Sequence, residues 1–408
     1  MKKGSIILLT VLLWAALLCG CGTKSGWIEK DGRTYYYLED GTAASGWQEI
    51  DGNQYHFGPD GVLEHGFREL DGVTYYFSED GTKVSGWINV DGRLYYLRQG
   101  GSLVTGWLSL EGQRYYLTET GVLTGVQIIK DSTYLFDTEG RLTSGWTALG
   151  NSRGYGDING HPVSGWQTID GQKYYFREDY TLQTGWAQID GFTYLFNSDG
   201  TPCQGITPDG EFASNGQLVP LVNPWNFVPE DYTVELTAIS SEHKIASVAY
   251  EDYLEMMEEC TKAGYMPVVC SSYRTQEYQE GLFERKIKRL LEDERHNYTE
   301  AEAYKIAAQS VAVPGTSEHQ LGLALDIIDN RNWNLDESQA QMPTQQWLME
   351  NSWRYGWILR YPDEKSHLTG IIYEPWHYRY VGREVAAEIH GLGLCLEEYL
   401  HTLTNGVG

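Results

Sequence analysis

Two short segments carry the residues best suited to chemistry. In Ser317-Glu318-His319-Gln320-Leu321-Gly322-Leu323-Ala324-Leu325-Asp326 a histidine precedes an aspartate by seven residues. In Glu374-Pro375-Trp376-His377 a glutamate precedes a histidine by three. Two histidines and one aspartate give zinc three protein ligands and leave a fourth position for water. A nearby carboxylate can act as general base to that water, with the metal as Lewis acid. His319, Asp326 and His377 are therefore the candidate ligands and Glu374 the candidate base. Either pair alone is weak evidence, because a lone histidine is more often structural. Arg274, in Ser272-Tyr273-Arg274, offers a guanidinium that pairs bidentately with a carboxylate, against the simpler reading of a surface ion pair. His243, His296 and His367 lack such a context and are read as non-ligands. Glu318 is expected beside the site or at the surface, and Trp376 and Tyr378 are expected to pack around it.

Nucleophilic catalysis competes. Ser241-Glu242-His243-Lys244 fits Ser-x-x-Lys, but no Ser-Asp-Asn or Lys-Thr-Gly accompanies it and no Gly-x-Ser-x-Gly elbow is present. Cys270 lies two residues before Ser272 and is the alternative nucleophile. No phosphate-binding loop or dinucleotide fingerprint occurs.

The elements that must position these residues lie in 219–408. Pro220, Pro224 and Pro229 mark a connector. Helical periodicity follows at 250–263, 275–294 and 299–312, with Thr299 and Glu302 spaced as a capping box. Strand-like runs occupy 266–269, 323–327 and 357–361. About 190 residues of mixed helix and strand suffice for one well-cored α+β domain.

The first half is repetitive. Gly26-Trp27, Gly46-Trp47, Gly66-Phe67, Gly86-Trp87 and Gly106-Trp107 recur every 20 residues, as do Gly145-Trp146, Gly165-Trp166 and Gly185-Trp186. A degenerate unit begins at Gly125-Val126. Nine repeats span roughly 25–203, with an incomplete unit to about 218. Each carries an Asp-Gly or similar turn between aromatic-rich runs, a hairpin signal. A single hairpin is too small to be stable, so stacking into an all-β solenoid over 25–218 is expected. Trp27, Trp47, Trp87, Trp107, Trp166 and Trp186, with Tyr36, Tyr76, Tyr96, Tyr116 and Tyr175, are candidates to line shallow aromatic sites for cations or sugar faces, against pure packing. The unit at 144–163 has lost its Tyr pair.

The 408 residues carry 56 acids against 30 bases, a net charge of −26, which argues against nucleic acid as a partner. Residues 1–21 read as an export signal: Lys2 and Lys3, then a short apolar run, too short to span a bilayer. Cys203, Cys260, Cys270 and Cys395 contain no C-x-x-C, so cysteine-held zinc is not expected. A Cys260–Cys270 disulfide is permitted, but buried free thiols are the simpler reading.

Three resemblances follow from these motifs. Leu18-Cys19-Gly20-Cys21 resembles the lipobox of bacterial lipoproteins, which implies lipid on Cys21 and attachment to the outer face of the membrane. The repeats resemble the cell-wall-binding, choline-binding-like repeats of Gram-positive surface proteins. The Trp that often precedes the Tyr pair there is replaced by Thr34, Gln54, Thr74, Leu94, Arg114, Lys173 and Thr193, so a wall polymer rather than choline is implied. Ser-x-His-x-x-Gly-x-Ala-x-Asp, then Glu-Pro-Trp-His, with Ser272-Tyr273-Arg274 upstream, resembles the VanY-type zinc D-Ala-D-Ala carboxypeptidases over about 219–408. That resemblance implies an α+β zinc D,D-peptidase fold, zinc on His319, Asp326 and His377, and Glu374 as base. It also implies Arg274 as oxyanion or substrate partner, Ser317 and Gln279 near the substrate, and peptidoglycan stem peptides as substrate. An L,D-carboxypeptidase and a non-catalytic wall-binding protein stay open as alternatives.

Overall fold

The computed structural model describes residues 25–405. The signal segment and Cys21 lie outside the described residues. Among the described residues no helix is long and apolar enough to cross a membrane. The chain divides into two compact units between Val163 and Ser164.

Among the described residues the first unit contains seven antiparallel hairpins, from Gly26–Lys30 paired with Arg33–Tyr37 to Gly145–Leu149 paired with Ser152–Gly156. The turns need positive φ at both central positions, and Asp31 (52°) with Gly32 (71°) supply it. Strand alternation turns one residue of each second strand inward, so Phe57, Phe77, Leu97 and Phe136 are fully buried. Backbone bonds recur between successive hairpins: Leu63 N–H to Thr34 O, Lys83 N–H to Gln54 O and Leu103 N–H to Thr74 O, each at 2.8 Å. Close stacking explains one glycine: Gly81 has φ 78°, and a Cβ there would lie 2.5 Å from Leu63 Cδ2.

The second unit starts with two further full hairpins, Gly165–Ile169 with Gln172–Phe176 and Gly185–Ile189 with Phe192–Phe196. A short tenth, Gly205–Thr207 with Gly210–Phe212, follows. Nine full hairpins and one incomplete one match the repeat count read from sequence. An α+β domain completes the unit. Helices α1 (Tyr250–Lys262), α2 (Gln276–Leu291) and α3 (Glu300–Ser310) coincide with the periodic segments. The capping box forms, with Thr299 and Glu302 bonding reciprocally. Four antiparallel strands, β1 (Pro267–Ser271), β2 (Ala324–Asp329), β3 (Trp357–Leu359) and β4 (His377–Tyr380), are ordered β1-β2-β4-β3.

The rhythm of the sequence ends near 218, but the compact unit does not begin there. One hydrophobic cluster joins Ala213, Val219 and Leu221 to Val385, Ile389, Leu396 and Tyr399. Polar bonds cross the same seam. Gln217 donates to Val381 O at 2.9 Å, Ser214 to Glu388 at 2.7 Å and Asn215 to Glu384 at 3.0 Å. A fragment 219–408 is therefore expected to melt roughly 5 °C or more below a fragment 164–408, since several buried bonds and apolar contacts go with the missing residues. Equal melting temperatures by calorimetry would contradict the packing at this seam.

Candidate functional site

The sheet brings the chemistry together by register. On β2, Asp326 stands opposite His377 of β4 on one side and Ser271 of β1 on the other. His319 comes from the turn Glu318–Leu321 just before β2. Gly322 ends that turn at φ 72°, and a Cβ there would lie 3.1 Å from Leu236 and 3.2 Å from Ala246 N, so both conformation and space call for glycine.

Donor atoms of His319, Asp326 and His377 lie within 4.8 Å of one another, and all three residues are buried. His319 Nδ1 is 2.8 Å from Ser272 O, so it donates there and Nε2 faces Asp326 Oδ2 at 3.2 Å. His377 Nδ1 faces Asp326 Oδ1 at 3.0 Å and Glu374 at 3.7 Å, while its Nε2 points away toward Glu318 Oε2 at 3.7 Å. A histidine fixed at its outer nitrogen by a carbonyl or carboxylate is what a metal ligand requires. The donor types, their convergence and these outer partners all fit zinc.

Glu374 is buried in the turn before β4, where its N–H donates to Tyr361 O at 3.1 Å. Burial pushes its carboxyl up to about 8, against the pull of His377. Burial, with Arg274 adding to it, takes His319 down to about 4. The same residues line a cavity of about 330 Å³, together with Arg274, Ser317, Tyr361 and Trp376.

Arg274 sits 3.0 Å from Asp326 Oδ2, bonds Ser271 Oγ through Nε and one terminal nitrogen, and donates to Gln279 Oε1 at 3.1 Å. A guanidinium has five N–H groups, and four of these contacts lie inside the protein. Gln279 is fully buried and anchored to Ala312 O. It orients Arg274 from behind and does not line the cavity, a correction to its expected place beside substrate. Tyr378 is also not at the site. Strand alternation turns it into the opposite core, where its hydroxyl donates to Gln345.

Competing nucleophiles are placed elsewhere or disarmed. Ser241 and Lys244 are exposed on a hairpin outside the cavity. Cys270 donates to Asp326 O, and burial pushes its thiol up to about 12, far from a reactive thiolate. Cys203, Cys260, Cys270 and Cys395 are all free thiols.

Of the two places expected for Glu318, the structure takes the one beside the site, and sequence reasoning did not find the arginines that hold it there. Glu318 is buried and accepts from Arg360 Nε and Arg379 Nη1, each at 2.8 Å. Arg360 also forks onto Glu397 at 2.9 and 2.7 Å. The available signal was Arg379 two residues after His377, hence on the same strand face.

In the repeats Trp27, Trp47, Trp87, Trp107 and Trp166 each meet one ring of their own hairpin and one of the next. Trp27 packs on Tyr36 of its own hairpin at 5.0 Å and on Tyr55 of the next at 4.9 Å. Trp87 repeats this with Tyr96 and Tyr115, Trp107 with Tyr116 and Tyr134, and Trp166 with Tyr175 and Tyr194. Phe67 takes the indole's place against Tyr76. Trp47 has His56 as its own-hairpin partner. The first tyrosine of each pair was thus missed as a wall of these clusters. Trp27, Trp47, Trp87, Trp107 and Trp186 stay exposed. Arg114 already stacks over Trp107 at 4.4 Å and Arg153 over Trp146 at 4.1 Å, filling seats a ligand cation would take.

Three converging side chains able to hold a metal ion, beside a buried carboxylate, fit a one-metal hydrolytic type of centre on an antiparallel sheet. Residues 242–383 match the family model VanY, D-alanyl-D-alanine carboxypeptidase, and residues 45–63, 85–103, 164–179 and 184–201 match the choline-binding type of cell wall binding repeat. The chain thus carries a VanY domain behind cell wall binding repeats. It is 45% identical over 184 residues to a D-alanyl-D-alanine carboxypeptidase of Enterococcus faecalis, covering 45% of this chain and 65% of that protein. It is 38% identical over 135 residues to the bifunctional D-Ala-D-Ala dipeptidase and carboxypeptidase VanXYC of Enterococcus gallinarum, covering 31% and 62%. A solved variant of the vancomycin resistance D,D-pentapeptidase VanY, in complex with Zn(II), is 42% identical and covers 44% of this chain and 97% of its own, with a TM-score of 0.40. The chain spans less than two thirds of the length of either of these two enterococcal relatives.

Proposed function

We propose that the C-terminal domain is a zinc-dependent D,D-carboxypeptidase that removes the C-terminal D-Ala from peptidoglycan stem peptides or their precursors. The observation that carries this reading is the convergence of His319, Asp326 and His377 within 4.8 Å, with Glu374 buried against His377. The VanY match and the D-Ala-D-Ala activities named for the relatives support the substrate class.

His319, Asp326 and His377 would hold the ion, which when bound supplies Lewis acidity to the scissile carbonyl and to water. Glu374 takes a proton from the attacking water and returns it to the leaving D-Ala amine. Arg274, fixed by Ser271 and Gln279, keeps a positive charge beside the cavity where the carbonyl oxygen gains negative charge. Ser317 lines the same cavity, where the peptide would bind. Replacing any one of the three ligands by Ala is expected to lower zinc content and activity together. Full zinc stoichiometry in His377→Ala, by atomic emission, would contradict the assignment.

The repeats are assigned to a polymer of the cell wall, and lipid on Cys21 to the outer face of the membrane. Such tethering raises the effective concentration of wall substrate. Residues 25–163, one compact unit, are expected to co-sediment with purified wall without the catalytic domain. Millimolar choline should compete poorly, since Arg114 and Arg153 occupy two of the indole faces. Efficient elution by choline would overturn that part.

A further inference from the structure

The cavity contains two cations the mechanism above does not use. Four of the fifteen Lys and Arg residues in 219–408 fall within five positions, Arg285, Lys286, Lys288 and Arg289. All lie on α2. Lys288 approaches Glu292 at 3.8 Å on the outer surface. Lys286 and Arg289, with Leu282, follow the spacing i, i+4, i+7, so they share one helical face. That face is the one that lines the cavity holding His319, Asp326, His377 and Glu374.

Among the described residues neither Lys286 nor Arg289 has an acidic partner. Arg289 Nε donates to Arg285 O within the helix. Lys286 is half-buried, and burial together with its neighbour Arg289 pushes its ammonium below the usual range. Lys286 stands at the cavity wall and Arg289 beside it at the exposed rim, so two like charges lie side by side. They stand in a domain whose acids outnumber its bases by 30 to 15. Arg274 cannot relieve the shortage of anion donors, because four of its contacts are already made to Ser271, Gln279 and Asp326.

We propose that Lys286 and Arg289 form a carboxylate-binding pair that draws an anionic group of the peptide into the cavity and thereby sets KM. This rests on the peptidase reading of the site. The carboxylate has two possible sources: the free C-terminus of the leaving residue, or an acidic residue upstream in the stem. Two charge-assisted partners held on one helical face provide the bidentate attachment that Arg274 no longer offers. They touch no reacting atom, so they act on binding and not on the chemical step.

The test uses the full-length, zinc-loaded protein with Lys286→Gln, Arg289→Gln and the double substitution. Pentapeptides are compared with analogues amidated at the C-terminus or at the upstream acid. The double variant is expected to raise KM roughly tenfold or more, with kcat kept within about twofold. The effect should vanish for whichever amidated analogue lacks the recognised carboxylate, which identifies the source. Lys286→Arg should retain most of the affinity. An unchanged KM, or an equal rise for acid and amidated peptides alike, would overturn the pair. Calorimetric binding of the same peptides to the same proteins decides the matter without turnover. If the wild type binds the acid peptide and the double variant does not, the pair stands even where cleavage fails, and only the peptidase reading falls.

Discussion

A Glu374→Gln variant is expected to fold, to bind zinc as the wild type does, and to lose between ~10²- and ~10⁴-fold in kcat. The amide keeps the shape of the carboxylate but accepts no proton. Glu374 is separate from the three converging donors, so its loss spares the metal. It sits 3.7 Å from His377, close enough to serve a water activated at the same centre. Its burial, which raises the carboxyl toward neutrality, gives a base of useful strength near physiological pH. A purely structural Glu374 makes the opposite prediction: lower stability with activity per folded molecule retained. A folded, zinc-loaded variant with a tenth or more of wild-type kcat would remove Glu374 from the mechanism.

Replacing Glu318 by Gln is expected to cost about 3–5 kcal/mol of stability and to weaken zinc binding ~10- to ~100-fold. Glu318 and Arg360 are fully buried, and so is Arg379. Removing the one carboxylate between two guanidinium groups leaves positive charge uncompensated in the interior. The same carboxylate faces His377 Nε2, and among the described residues neither Glu318 Oε2 nor that nitrogen has another partner. The loss of the charge therefore reaches the ligand as well as the core. Burial alone would raise the Glu318 carboxyl, but Arg360 and Arg379 outweigh it and hold it well below its usual value near 4.5. Its contribution is present above that value and is lost as the pH falls toward the folded-state one, so the melting temperature should drop in acid, and less so in Glu318→Gln. Melts across pH 3–7 with metal titrations check both parts, and identical zinc affinity in the variant would contradict the link to His377.

Much of this was legible in the sequence, for identifiable reasons. The repeat count was secure because Gly-Trp and Asp-Gly recur at fixed spacing and each Asp-Gly demands positive φ, as at Asp31 and Gly32. The convergence of His319, Asp326 and His377 was legible because two short motifs, each weak alone, combine into the pattern that resembles the VanY-type family. What pairing across strands decides was not legible. Nothing in the linear order says that Ser271, Asp326 and His377 stand side by side, or that Tyr378 must face the other way. Gln279 was placed near substrate only by the resemblance to the VanY-type family, and helix geometry turns it inward. The first tyrosine of each pair was missed because its partner Trp belongs to the preceding hairpin. The seam at 213–221 was hidden because the repeat pattern fades there while its residues join the core of the C-terminal domain.

The central claim is that His319, Asp326, His377 and Glu374 together make a zinc D,D-carboxypeptidase. Mass spectrometry of a stem pentapeptide ending in D-Ala-D-Ala, incubated with the purified full-length protein, tests it most directly. The zinc-loaded protein should release one D-Ala and stop at the tetrapeptide, and the chelator-treated protein should release none until zinc is restored. An intact pentapeptide with fully zinc-loaded protein, or cleavage of the tetrapeptide in its place, would contradict the account.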